Sequence, residues 1–408
     1  MPRAAVLGAA LLLLAASCSL AGGSPETLVA DMDDVNATAY PDVLQNQFIL
    51  GGIALQNRDY DAAIAIFRDL ARKSPSPRIR LELARALFLA QRLDESREVF
   101  EQVLAGDILP WPVRQNIELY LREIDRTLGF VKYGISLVSD SNPRNFTSDR
   151  RIMIAGQVLT IVPPQDNKEV RGIRYRVEMG KALSGDRQLQ GYMNLSFIDY
   201  EQSQFDRITW DGRLTYAFDS LPRLKTRAGI EISTRDGSKQ YDYPYLSFIY
   251  IPDPVERFRL LYELKIARLD ITGVDHLDAD QYIAAMGFTR HLHSLALLRG
   301  DISLENSVAK ESPYSYHGAS LGLGVDFAIG SWALEPFMAV AQRVYGDQDP
   351  LFGRTRKDTR KRAGLAISPR NFRIGRFTPE LGFTYDKNDS SIGFYSYDKL
   401  GLFLSLEE

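Results

Sequence analysis

The stretch "RYRVEMGKALSGDRQLQGYMNLSFIDY", residues 174–200, is two alternating runs joined by the turn Ser184-Gly185-Asp186-Arg187. In the first run Tyr175, Val177 and Met179 alternate with Arg174, Arg176 and Glu178. Period two is the signature of a strand, and here one face is apolar and the other charged. The pattern returns in "WDGRLTYAF" (210–218), "LKTRAGIEIST" (224–234) and "YHGASLGLGVDFA" (316–328). A soluble sandwich explains one such strand. Many long strands with a polar second face fit a membrane barrel better, with lipid outside and water or packed polar groups within.

Working outward from this pair, fourteen strands are expected, near 130–138, 171–183, 188–200, 207–218, 223–234, 243–251, 256–268, 281–290, 295–304, 316–327, 332–344, 357–367, 376–387 and 394–406. Many exceed the roughly 9–11 residues that a tilted strand needs to cross a bilayer. Closure follows, because an unpaired backbone group in lipid costs several kcal/mol. An even count suits a bacterial barrel. The connections add a second test. The even ones, "SGDR", "DSLP", "PDPV", "HLHS" and "AIGS", are short, and "SPRNFRIG" is longer. The odd ones are expected to run longer, the first (139–170) most of all. That parity gives the barrel a periplasmic rim and an outside rim. The end "KLGLFLSLEE" places Lys399, Gly401, Leu404 and Leu406 with the spacing of a barrel-assembly signal, without its usual terminal aromatic residue.

Ahead of the strands the period is 3.6. "YDAAIAIFRDLARKSP" (60–75) puts Tyr60, Ala63, Ile64, Phe67 and Leu70 on one helical face, and Pro75 ends the run. A shift of 33 residues finds the pattern again. Leu83, Ala84 and Leu87 match Leu50, Gly51 and Ala54, while Leu93, Ser96 and Phe100 match Tyr60, Ala63 and Phe67. This is tetratricopeptide-like spacing, with small residues where paired helices approach and a Phe filling the gap. Two repeats cannot bury a continuous core alone, so flanking helices are expected near 26–47 and 111–128.

The opening "MPRAAVLGAALLLLAASCSLAGGSP" (1–25) has a charged Arg3, an apolar core from Ala4 to Ala16, and small residues suited to cleavage after Ala21. It reads as a secretory signal peptide. Ala15-Ala16-Ser17-Cys18 also allows a lipoprotein signal. Cys18 is the only cysteine, so cleavage after Ala21 leaves a chain without disulfides. The expected organisation is a signal peptide (1–21), a periplasmic helical domain (22–129) and a barrel (130–408). The fold class is therefore α + β multidomain: tetratricopeptide-like helical repeats followed by a 14-stranded antiparallel transmembrane β-barrel. A net charge of −3 gives no case for nucleic acid.

Motifs for chemistry are weak. Gly318-Ala319-Ser320-Leu321-Gly322 spells G-x-S-x-G, but inside an alternating strand rather than on a strand-to-helix elbow. His291 and His293 lack a third ligand nearby for zinc. "VDHLDAD" (274–280) is acidic and reads as a solvated loop. The basic run "RTRKDTRKR" (354–362) reads as a solvated rim, or as a contact for lipopolysaccharide phosphates or a client protein. No G-x-x-x-x-G-K-[ST] occurs. No enzyme activity, cofactor or metal is expected. The stretch "LVSDSNPRN" (137–145) could start a calcium loop at Asp140 and Asn142, but Arg144 takes the next ligand slot and no Gly follows Asn145. An Asx turn bent by Pro143 is expected, at the outer end of the first strand. Asp140, Ser141, Asn142 and Asn145 are the candidate contacts for a client or for ordering the first loop.

Three stretches carry a resemblance: "RLELARALFLAQRLDESREVFEQVLA" (80–105), Asp140-Ser141-Asn142 behind strand one, and "NDSSIGFYSYDKLGLFL" (388–404). In that order the chain resembles the surface lipoprotein assembly modulator (Slam) family, the type XI secretion translocons. The resemblance implies an outer-membrane factor that moves surface lipoproteins or soluble secreted proteins across the outer membrane. It implies a client, a periplasmic chaperone, outer-membrane lipids and the barrel-assembly machinery as partners. The helical face would guide the client, and the barrel would supply the route or a lateral seam. Two rival classes remain: an exopolysaccharide exporter, which normally has far more repeats, and an outer-membrane lipid hydrolase, for which Ser320 is poorly placed.

Overall fold

The helical and stranded periods give way to each other at Gly129, and the backbone does the same. A computed structural model describes residues 42–407, apart from 107–108, 110, 155–156, 166, 187, 256–257, 294–295 and 371. The expected signal peptide, Cys18 and most of the flanking helix at 26–47 lie outside the described residues. The remainder divides at Phe130 into two compact units.

The first unit holds α1 (Asp42–Gln56), α2 (Tyr60–Lys73), α3 (Pro77–Leu89), α4 (Leu93–Gly106) and α5 (Trp111–Leu128). The 33-residue repeat is visible in the backbone itself. Arg58 and Gln91 both adopt left-handed φ, 61° and 60°. One residue on, the Asp59 N–H donates to the Ala54 carbonyl and the Arg92 N–H to the Leu87 carbonyl, each at 2.9 Å. Asp59 Oδ1 caps α2 by accepting the Ala62 N–H, and Pro77 opens α3 where no donor is missed. Gly51 allows the close approach of α1 and α2, since a Cβ there would come within 2.7 Å of the Phe67 ring. In the second repeat that approach is between Ala84 and Ser96, whose Oγ donates to the Ala84 carbonyl at 2.8 Å. Phe67 and Phe100 fill the two interiors, as the spacing requires.

The second unit is a closed barrel. Its strands are β1 (Phe130–Asp140), then β4 (Val170–Ala182), β5 (Leu189–Tyr200), β6 (Arg207–Phe218), β7 (Leu221–Arg235), β8 (Ser238–Tyr250), β9 (Phe258–Ile271), β10 (Ala279–His293), β11 (Ala296–Ala309), β12 (Tyr316–Ile329), β13 (Trp332–Gln348), β14 (Thr355–Pro369), β15 (Thr378–Ser390) and β16 (Tyr397–Glu407). A separate hairpin, β2 (Arg151–Ile154) and β3 (Gln157–Thr160), stands in the first long loop. Each barrel strand pairs with its sequence neighbour, and β1 closes the ring on β16, from Gly134↔Glu407 to Asp140↔Gly401. These are the fourteen expected strands.

Alternation sorts the side chains. Val131, Tyr133, Ile135 and Leu137 on β1, and Leu400, Leu402 and Leu404 on β16, face out and are exposed, whereas Ser136 and Ser405 face in and are buried. The inner face is polar and cross-linked. Arg343 Nη2 lies 3.2 Å from Glu305 Oε2, Arg360 Nε donates to Asp386 Oδ1 at 2.8 Å, and the Tyr243 hydroxyl donates to Gln281. Glycines sit opposite aromatic rings at register pairs. Phe403 covers Gly382, and Phe337 covers Gly364 from directly across the ladder. The ring fills the space of the missing side chain and lets the sheet bend.

Loop parity is less regular than the sequence implied. The connection β7–β8 is only Asp236-Gly237, and β14–β15 runs from 370 to 377. Asp236 and Gly237 take φ of 49° and 69°, a two-residue hairpin turn that lets both strands run further than hydrophobic alternation alone marks. The first connection, 141–169, is still by far the longest. It belongs to the rim opposite the one where α5 hands the chain to β1.

Candidate functional site

Four loops on the long-loop rim share one construction. Short 3₁₀ turns occupy Ser203–Phe205, Asp275–Leu277, Ser312–Tyr314 and Gly393–Tyr395. The residue after each turn reaches back to a backbone N–H at the end of the preceding strand. Asp206 accepts from Tyr200 and Asp278 from Ile271, each at 2.8 Å; Ser315 accepts from Ala309 and Ser396 from Ser390, each at 3.0 Å. Each loop is thereby clamped to its own strand. Burial opposes ionisation of Asp278, but hydrogen bonds from Lys310 and from the Ile271 N–H outweigh it and hold the carboxyl below the ordinary carboxylate range.

The first loop is built differently. Asp140 Oδ1 accepts the N–H of Asn142 at 2.9 Å, an Asx turn. Ser141 continues the β1–β16 ladder: its N–H donates to the Leu400 carbonyl at 3.0 Å, and its Oγ accepts the Leu400 N–H at 2.8 Å. Lys399 Nζ lies 3.3 Å from Asp140 Oδ2. Asn142, 9 % exposed, is the hub. Its Nδ2 donates to the carbonyls of Phe146 (2.9 Å) and Asp398 (3.1 Å), and its Oδ1 accepts the Phe146 N–H (2.8 Å) and Asn167 Nδ2 (3.1 Å). Asn145 takes left-handed φ, 48°, and its N–H donates to the Asn142 carbonyl. The structure therefore brings Asp140, Ser141 and Asn142 against residues 398–400, while Asn145 turns the chain beside them.

Beyond that turn the loop grips its neighbours. Arg235 donates to the Pro143 carbonyl at 3.1 Å, and the Arg144 and Arg235 guanidinium groups both lie over the buried Phe205 ring. Thr147 Oγ1 donates to the Gly393 carbonyl at 2.7 Å, the Ser148 N–H to the Ser396 carbonyl at 2.9 Å, and Ser148 Oγ to Asp398 Oδ1 at 2.5 Å. The loops 349–354 and 391–396 are themselves joined. The Tyr395 hydroxyl donates to Asp349 Oδ2 at 2.6 Å, Phe352 stands beside Phe394, and Arg356 lies over Tyr395. Burial, then the Asp349 hydrogen bond, push the Tyr395 hydroxyl well above the ordinary tyrosine range.

The other sequence candidates fall elsewhere. Ser320 lies mid-strand in β12, its hydroxyl 2.7 Å from that of Ser303 directly across the ladder, with no elbow. His291 and His293 belong to the end of β10 rather than to a turn. Among the described residues no three His, Cys, Asp or Glu converge as metal ligands. The basic run 354–362 is divided by β14. Arg356, Arg360 and Arg362 face inward onto Asp358 and Asp386, while Lys361 faces outward onto Asp389. Sequence reading missed Thr147, Ser148, Asn167 and the four clamping residues. The clamps do have a signal, an apolar or aromatic residue followed by Asp or Ser: Phe205-Asp206, Leu277-Asp278, Tyr314-Ser315 and Tyr395-Ser396.

Residues 255–408, which contain β9 to β16 and the Asp398–Leu400 contacts, match the family model described as surface lipoprotein assembly modifier. Surface lipoprotein assembly modifier 1 of Haemophilus influenzae (strain ATCC 51907 / DSM 11121 / KW20 / Rd) is 22% identical over 360 residues, covering 81% of this chain and 70% of the relative. Over these residues the chain is similar to the surface lipoprotein assembly modifier family. A second member, from H. influenzae strain 86-028NP, is 31% identical over 106 residues, 26% of this chain and 21% of that one. Residues 50–108 match the tetratricopeptide repeat model. Among solved structures, OpdK of Pseudomonas aeruginosa aligns with TM-score 0.38 and 9% identity, over 68% of this chain and 98% of that one. OprB of Pseudomonas putida aligns with TM-score 0.40 and 8% identity, over 71% and 96%. A closed barrel with an apolar outer face and a polar inner one is an outer-membrane protein. The stretches that carried the resemblance, Asp140-Ser141-Asn142 and 388–404, touch one another across the β1–β16 closure.

Proposed function

We propose that this protein is an outer-membrane assembly factor for surface lipoproteins, and that it acts by moving client proteins across the membrane. The observation that carries the reading is the pairing, in one chain similar to the surface lipoprotein assembly modifiers, of repeat helices with a closed barrel whose inner face is polar. The helical unit lies in the periplasm, because α5 leads into β1 at the rim opposite the long first loop, and the long-loop rim faces outside. Repeat helices present a surface for a protein segment. The exposed Ile49, Leu50 and Ile53 of α1 offer an apolar strip to a client not yet folded. A periplasmic chaperone would deliver that client, and folding outside would supply direction. The hairpin β2–β3 exposes Met153 and Val158 on one face, a surface for an emerging strand.

The test is surface display. A surface lipoprotein of the same organism is tagged and stained on intact cells, with and without the gene. Loss of staining at unchanged client abundance is expected. Unchanged client display with lost surface polysaccharide would overturn the reading in favour of a sugar exporter. Removing residues 22–129 should also abolish display, and undiminished display would exclude a guiding role for the helices.

A further inference from the structure

We propose that residues 142–149 form a strap over one sector of the outer mouth, closed at rest, that must lift for a client to leave the barrel. The inference rests on the translocation reading above. Four rim loops are clamped to their own strands by Asp206, Asp278, Ser315 and Ser396. Residues 142–146 are instead a preformed turn closed on itself through Asn142 and Phe146. The bonds that hold this turn down go to the ends of other strands, Arg235 of β7 and Asp398 of β16, and those of the residues after it also reach the 391–396 loop.

Those bonds bridge a wide arc. Arg235 shares the inward register of β7 with buried Ser233, and it holds the Pro143 carbonyl. Between β7 and β1 stand β6, β5 and β4. On the opposite side of β1, Thr147 and Ser148 hold Gly393, Ser396 and Asp398, next to β16. The segment therefore spans from β16 to β7 above the inward-facing residues. Val138, Asn142, Thr147 and Phe205 are buried beneath or within it. Its attachments are hydrogen bonds and cation–ring contacts outside the strand ladder, so they can break and reform without rearranging it. The turn itself stays intact through Asn142, so the strap moves as one piece about Ser141, where it leaves the β1–β16 ladder.

The experiment locks the strap. Ser148 and Asp398 meet through exposed side chains, so Ser148→Cys with Asp398→Cys, in the full-length chain, can be bridged by oxidation or by dibromobimane without disturbing the core. With the disulfide formed, client display on intact cells is expected to fall at least tenfold below that of the reduced double variant, and to return on reduction. Each single-cysteine variant should display normally under both conditions. Equal display in bridged and reduced cells overturns the proposal. A second arm needs no client. Asn142→Ala, which loosens the turn, should raise entry of a large antibiotic such as vancomycin several-fold. Adding Ser148→Cys and Asp398→Cys to that background and bridging the two thiols should reverse the increase. If deleting the gene leaves client display unchanged, the translocation reading fails. The strap then stands or falls on antibiotic entry, and no change in entry on loosening or bridging overturns it.

Discussion

Replacing Asn142 with Ala tests how the first loop is held. The side chain makes four hydrogen bonds, at 2.8 to 3.1 Å, in a site 9 % exposed. Truncation removes all four. At a net of about 0.5–1.5 kcal/mol each, with water reaching some of the abandoned groups, the local loss is roughly 2–4 kcal/mol. At about 1.4 kcal/mol per tenfold, that raises the open population of the loop roughly 30- to 700-fold. The Ser148 amide is the right reporter. It donates to the Ser396 carbonyl and makes no bond to Asn142, so its exchange reports the loop rather than the deleted contact. Hydrogen exchange of the refolded full-length chain in detergent micelles reads it directly. Asn142→Asp keeps both acceptor contacts but sets a carboxylate oxygen against the Phe146 and Asp398 carbonyls in a nearly buried site, so it should cost at least as much as Asn142→Ala. Unaltered Ser148 protection in Asn142→Ala would refute the reasoning, because the loop would then be held without its hub.

The remaining expectations concern other levels of the structure. Gly382→Ala forces Phe403 off its site across the ladder and should cost about 1–3 kcal/mol by urea unfolding in micelles; a second change, Phe403→Ala, should restore part of it, and strict additivity would contradict the packing account. Phe67→Ala should destabilise the helical unit by about 3–5 kcal/mol in thermal unfolding followed by helical circular dichroism, whereas an effect under about 1 kcal/mol would mean the repeat interior is not packed as described. Asp278 has a depressed carboxyl, so the stability it lends the 272–278 loop is present above the ordinary carboxylate range and is lost as pH falls through and below that range. Proteolysis of that loop should rise on acidification in the wild type and be high at all pH values in Asp278→Ala; identical profiles would contradict the clamp.

The strands were legible because each barrel strand separates two media, and period two survives in every one of them. Where the strand outruns the membrane, the pattern fades. That is why β8 begins at Ser238 although its alternation is marked only from 243, and why the short hairpin β2–β3 escaped notice. The repeat helices were legible for a local reason: Gly51 and Phe67, or Ala84 and Ser96, meet between neighbouring helices. The rim was legible only in part. The Asx turn at Asp140–Asn142 is local, two residues long. The bond from Asn142 to Asp398 crosses 256 positions of sequence, and no periodicity announces it. The same holds for Thr147 on Gly393. Ring closure of β1 on β16 makes these residues neighbours, so their pairing could be seen only after the barrel was closed.

The most direct test of transport reconstitutes the purified full-length chain alone into lipid vesicles with its helical unit outside. A client lipoprotein, held unfolded by a periplasmic chaperone, is added outside, and external protease follows. The account predicts a client fraction protected from protease in these vesicles, and none in vesicles bearing an unrelated fourteen-strand barrel. Equal protection in both, or none in either while the refolded chain remains native, would contradict it.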